Sequence, residues 1–110
     1  MSSIMRYDPE ADAMHVRISS RKAWESLEIN QNLNLDLDHN GHPVGIELLD
    51  MRKFVSALFG HSIDSGQLKN LKVKALSPNG QEVILDLHYG AERIRYAIPG
   101  AYASPVVAIM

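Results

Sequence analysis

Two apolar alternations joined by a turn dipeptide constrain this chain more than any other feature. Leu33, Leu35 and Leu37 alternate with Asn34, Asp36 and Asp38; His39-Asn40-Gly41-His42 follows; then Val44, Ile46 and Leu48 resume the pattern. A period of two puts the aliphatic side chains of each run on one face of an extended strand, whereas a helix would scatter them around its circumference. Asn-Gly tolerates the positive φ angles of a tight reversal, so Leu33 to Asp38 and the run from Val44 read as one β-hairpin with a buried and a wet side.

The same period recurs on both flanks. Ile4 to Tyr7 reads as a short strand ended by a type I turn at Asp8-Pro9-Glu10, and Ala13 to Ile18 returns with Met14, Val16 and Ile18 inward and His15 and Arg17 outward. Ala23 to Ile29 is a further strand, in which Leu27 and Ile29 share a face while Glu25 and Glu28 interrupt the pattern. Beyond the middle, Leu71 to Leu76 and Glu82 to His88 are joined by Ser77-Pro78-Asn79-Gly80, and Ile94, Tyr96 and Ile98 mark a third strand of an expected meander. The Asn-Gly segments at 40–41 and 79–80 feed similar alternating strands, a likeness that two related hairpin units would produce and that convergence on one turn chemistry, the preferred reading, produces as well.

The period changes once. Met51, Phe54, Val55 and Leu58 stand at i, i+3, i+4 and i+7, with Asp50 placed as N-cap and Gly60 as the left-handed C′ residue, which predicts a helix. A second helical turn fits Ser65 to Leu71. An apolar helix stripe needs an apolar surface, so the expected class is α+β: an antiparallel sheet with one main helix packed on it. With 110 residues, 45% of them hydrophobic and 22% charged, the chain suits a single domain over 1–110. Its parts are hairpins and helix in 1–60, the meander in 71–98 and an apolar tail in 99–110. Val106, Val107, Ile109 and Met110 of that tail are expected at an interface, because left in water they would form a sticky patch.

A formal net charge of −2 supplies no global field for nucleic acid or an anionic membrane. The absence of cysteine removes disulfides, thiolate zinc sites and cysteine nucleophiles together. No window approaches the length of a membrane span and Arg6 and Asp8 interrupt the first apolar residues, so the cytoplasm is the expected location.

Tyr7-Asp8-Pro9-Glu10-Ala11-Asp12-Ala13, followed by an alternating strand and then by Leu35-Asp36-Leu37-Asp38-x-Asn40-Gly41-x-x-Val44-Gly45-Ile46-Glu47-Leu48-Leu49, resembles the bacterial family catalogued as domain of unknown function 2283. The resemblance covers roughly the first half of the chain, and Met14-His15 stands where that family usually has an aromatic residue. It implies a fold but transfers no catalytic residue. Small proteins of this type are sometimes encoded beside toxin-like neighbours, which implies an antitoxin-like role through a partner.

Four groups of residues carry candidate chemistry. Asp36, Asp38, Asn40 and Glu47 satisfy the spacing of an EF-hand calcium loop, but that loop needs a helix on each side and these residues sit in strand-period sequence. His39 and His42 flank the same turn beside Asp38, a possible transition-metal set; turn histidines are more often solvated, and no metal or cofactor is expected. Asp86 and His88 share a strand face, so the histidine is a candidate base and the aspartate its orienter, within a wider pool of His15, His61, Asp12, Glu47 and Asp50. Lys72, Lys74, Arg93 and Arg95 offer a basic stripe, but Tyr96 has the opposite parity and no aromatic ladder accompanies them, which disfavours nucleic acid. No recognisable catalytic block is present. The expected role is therefore a non-enzymatic interaction module, as a homodimer or bound to a protein partner, with a small enzyme or ligand binder at His88 and Asp86 as the rival.

Overall fold

Within residues 5–78 and 82–98, which the computed structural model describes, the alternating segments become eight strands. β1 (Met5–Asp8), β2 (Ala13–Arg17), β3 (Glu25–Asn30), β4 (Leu33–Leu37) and β5 (Pro43–Leu48) precede α1 (Met51–Phe59). A single 3-10 turn (Gln67–Asn70) then leads to β6 (Leu71–Leu76), β7 (Ile84–Tyr89) and β8 (Glu92–Ala97). The α+β class expected from the sequence is the one observed, but the strands divide into two sheets: five in the order β1-β2-β5-β4-β3 and three in the order β6-β7-β8. The tail residues Val106, Val107, Ile109 and Met110 lie outside the described residues.

The central hairpin pairs Leu33 with Leu48 and Leu35 with Ile46, so the two apolar alternations share a face. Its reversal spans residues 38–42. The Asp38 N–H donates to His42 O at 2.9 Å, and Gly41 takes the left-handed conformation at φ 79°. Pro43 opens β5, a position where a missing N–H costs the ladder little. β2 then pairs with β5, setting Met14 opposite Leu48 and Val16 opposite Ile46. Met14, Leu35 and Ile46 are fully buried from water, and each such side chain contributes about 2–3 kcal/mol of apolar burial.

α1 buries Met51 and Val55 and lays Phe54 edge-on against Tyr96 of β8, ring centres 5.4 Å apart. Gly60 ends it as read, with φ 77° and its N–H on Ser56 O. Asp50 does not act as the cap: it is left-handed at φ 52°, makes no side-chain capping bond, and its carboxylate accepts instead from Asn32 Nδ2 at 3.1 Å. The start of the helix is held from elsewhere in the chain. The 3-10 turn carries its own reciprocal cap, Asp64 Oδ1 accepting from the Gln67 N–H and Gln67 Oε1 from the Asp64 N–H.

The two sheets share one apolar cluster that runs from Met14 and Leu35 to Val73, Leu85 and Ile98. Where they approach, the Val73 N–H at the edge of β6 points at Met5 Sδ of β1, 3.3 Å away.

Candidate functional site

β6 alternates inward Leu71, Val73 and Ala75 with outward Lys72, Lys74 and Leu76. Register on β7 and β8 extends this into three rows across the outer face of the small sheet: Lys72–His88–Arg93, Lys74–Asp86–Arg95 and Leu76–Ile84–Ala97. The two candidate groups that the sequence kept apart, the basic stripe and the His88–Asp86 pair, therefore form one surface.

Asp86 lies at its centre and is 5% exposed although it is on the water side. Arg93 grips it with two parallel bonds, Nε to Oδ1 and Nη2 to Oδ2, both 3.0 Å. His88 Nε2 stands 3.4 Å from Oδ1 and Arg95 Nε 4.0 Å. The Arg93 guanidinium, followed by the His88 hydrogen bond, pulls the carboxyl down to about 2 against the opposing effect of burial, while Asp86 raises Arg93 in turn. A carboxylate so reluctant to take a proton acts as a counter-charge and as an anchor for His88, not as a base. Among the described residues Lys72 and Lys74 make no ion pair, and with Asn70, His88 and Gly90 they line a cleft of about 490 Å³.

The remaining candidates fall on the larger sheet. On its outer face Ser26 Oγ donates to Asp36 Oδ1, and His15 Nε2 lies 3.3 Å from Oδ2. Serine and imidazole thus converge on the carboxylate rather than on each other, so the group lacks the serine–histidine contact that activates a nucleophile. Gly45 lies beneath them; a Cβ there would stand 3.2 Å from Asp36 Oδ2 and 3.3 Å from His15 Nε2, a close approach that gives the glycine its reason. Glu47 accepts from Asn34 Nδ2 at 3.2 Å.

Asp38 closes the hairpin turn: its Oδ1 takes the N–H groups of Asn40 and His42, both at 2.9 Å, and its Oδ2 faces Arg21 at 3.3 Å. The His42 amide bond leads the effects that hold this carboxyl below its usual range. Along this β-hairpin Asp36 and Glu47 are thus engaged with Ser26, His15 and Asn34, Asp38 with the amides of its own turn including that of Asn40, and His39 stacks on Trp24 at 3.8 Å instead of joining His42. No group of three or more histidine, aspartate and glutamate side chains poised for a metal occurs among the described residues.

Two arrangements escaped the sequence reading. Asp12, at φ 52°, accepts the Tyr7 hydroxyl at 2.7 Å and the Arg52 N–H at 3.3 Å, while its carbonyl takes the Met51 N–H at 3.0 Å. His61, after the helix, meets Glu92 of β8 at 2.9 Å, and that hydrogen bond raises its proton affinity. Both join positions 31 residues or more apart, for which local pattern holds no signal.

Two antiparallel sheets with one helix across them define an α+β protein whose larger sheet is built by the first half of the chain. That half is where a relationship is found: residues 4–52 match the family described as "Protein of unknown function (DUF2283)", covering β1 to β5 and ending at Arg52, just inside α1. No curated protein and no solved structure matches the chain. No helix among the described residues is long and apolar enough to cross a membrane.

Proposed function

We propose that this protein is a non-enzymatic interaction module that docks an acidic partner protein on the outer face of β6-β7-β8. The observation that carries the reading is the pair of rows Lys72–His88–Arg93 and Lys74–Asp86–Arg95, four permanent cations around one carboxylate. A localised positive face on a chain of net charge −2 is a recognition feature rather than a consequence of composition.

The third row selects the class of partner. Leu76 is 39% exposed beside the charged rows, in line with Ile84 and Ala97, so the face offers apolar contact next to cations, as protein partners use. A single-stranded nucleic acid laid across it would find no outward aromatic ring among the described residues to stack on, since Tyr96 is turned to Phe54.

Titration of isotope-labelled protein with a polyglutamate peptide, followed by amide chemical shifts, tests the reading. Shifts confined to β6, β7 and β8, with affinity at least tenfold lower in a Lys74→Glu/Arg95→Glu variant, are the expected outcome. Tighter binding of an oligouridylate of equal charge would overturn it, as would no saturable shift at all. Light scattering separates a second copy of the chain from a different partner: a mass above 12.3 kDa without any addition would make the chain its own partner.

A further inference from the structure

We infer that the cleft between Lys72, Lys74, His88, Asn70 and Gly90 is a discrete site for a phosphate group, a chemistry distinct from the carboxylates that the rest of the face would receive; the inference rests on the reading of that face as the working surface.

The two sides of the sheet carry different cations in different states. On β8 the planar guanidinium of Arg93 is already matched to a carboxylate, that of Asp86, by its two-pronged bond, and Arg95 leans toward the same group at 4.0 Å. On β6 both cations are lysines, and neither has a carboxylate partner among the described residues. Standing two residues apart on one strand face, their Cα atoms are about 7 Å apart. Long, rotatable ammonium groups at that spacing converge on one tetrahedral anion from two directions, and each brings three donors to an acceptor with several oxygens. A divalent phosphate matches the two charges; a single carboxylate would leave one lysine unpaired.

The cleft wall is suited to the same ligand. Asn70, a residue with an amide donor, is part of the lining, and Gly90, with φ 61°, adds no side chain to it. His88 also lines the cleft and turns Nε2 toward Asp86, 3.4 Å from Oδ1, a group outside that lining. A volume of about 490 Å³ exceeds a bare phosphate and lies in the range of small-molecule sites, so the phosphate enters with part of the molecule that carries it.

The probes are inorganic phosphate, chloride at matched ionic strength, and the polyglutamate peptide with and without one phosphoserine. The expected result is a saturable shift of the Asn70, Lys72, Lys74, His88 and Gly90 amides with inorganic phosphate but not chloride. It should be lost in Lys72→Ala/Lys74→Ala and kept in Arg95→Ala. A phosphoserine that tightens the peptide at least fivefold in the native protein and not in the double-lysine variant assigns the phosphate to the partner; saturation by inorganic phosphate without that gain assigns it to a small molecule. Shifts that chloride reproduces, or that survive the double-lysine variant, would overturn the site. Should polyglutamate still bind in that case, the docking face stands and the phosphate site alone falls; phosphate saturation without polyglutamate binding has the reverse meaning.

Discussion

The carboxylate of Asp12 receives the backbone N–H of Arg52, forty positions along the chain, with both of its oxygens 3.3 Å from the nitrogen. A helix N-terminus leaves its first N–H groups without intrahelical partners, and here the adjacent candidate, Asp50, is turned away to Asn32. Asp12 fills the vacancy from the β1–β2 connection, so one side chain ties the first hairpin to the helix. Replacing it with alanine removes the cap, worth about 1 kcal/mol, and places a residue poorly suited to φ 52° where the left-handed conformation costs about 1–2 kcal/mol more. Asp12→Ala should therefore destabilise the protein by about 2–3 kcal/mol in urea unfolding, and Asp12→Asn by less, because asparagine tolerates that backbone. Equal losses for the two would show that the backbone conformation contributes nothing.

Gly45 gives a test on the opposite side of the large sheet. A methyl group there crowds Asp36 and His15, but the atoms it meets are the ends of side chains, and that of His15 is 45% exposed. Alanine also removes the freedom that glycine has in the unfolded chain, a gain of about 0.5–1 kcal/mol. The two effects oppose each other, so Gly45→Ala should leave stability within about 1 kcal/mol of native while separating the imidazole from the carboxylate. Thermal unfolding and the His15 ring resonances measure the two parts. A loss well beyond that range would mean that the Asp36 carboxylate is fixed by Ser26 too firmly to move.

What the sequence made legible was the set of elements, because each is a local pattern. Leu33, Leu35 and Leu37 declare their face by parity, and Met51 to Leu58 by helical spacing. Strand pairing is a different matter. Nothing in Ala13 to Arg17 specifies β5 as its partner, since any strand with an apolar face satisfies the same alternation, and the division into two sheets follows from which edges meet in space. The candidate site was visible as types and parities: Lys72, Lys74, Arg93 and Arg95 all point outward as their alternation requires. Their convergence on Asp86 was hidden, because it depends on the register that sets Lys74, Asp86 and Arg95 in one row. The Asp50 cap was misread for a related reason: helix-start chemistry was sought nearby, and a residue forty positions earlier supplied it.

Tyr7 offers a spectroscopic check on the Asp12 network. Burial, then its hydrogen bond to Asp12 and the charge of that carboxylate, push its phenol up to about 12. Ultraviolet titration should show a tyrosine ionising near pH 12 that is missing from a Tyr7→Phe variant. A group whose proton is held more firmly in the folded state contributes stability that is complete below its unfolded value and declines above it. The contribution of Tyr7 should therefore fade from about pH 10 to about 12, and Tyr7→Phe should remove that part of the alkaline loss. A Tyr7→Phe titration that matches the native one near pH 12 would sink the assignment.

Asp86 reverses that sign. Its carboxyl is held at about 2 in the folded protein by Arg93 and His88, against about 3.9 for a free aspartate, so the folded state binds the proton less readily than the unfolded chain. The stability it contributes is present above pH 4 and is lost as the pH falls from there toward 2. Asp86→Asn should flatten the acid limb of a stability profile over that interval and lower stability at neutral pH, because Arg93 loses an ionised two-pronged partner. Arg93→Gln should flatten the same limb, and the double variant should add little to either single change, since both remove one interaction. Urea midpoints measured from pH 2 to 7 give all four curves. An Asp86→Asn protein that retains the native acid limb would show that Asp86 titrates as an ordinary surface aspartate and that the two-pronged bond from Arg93 does nothing to hold its charge.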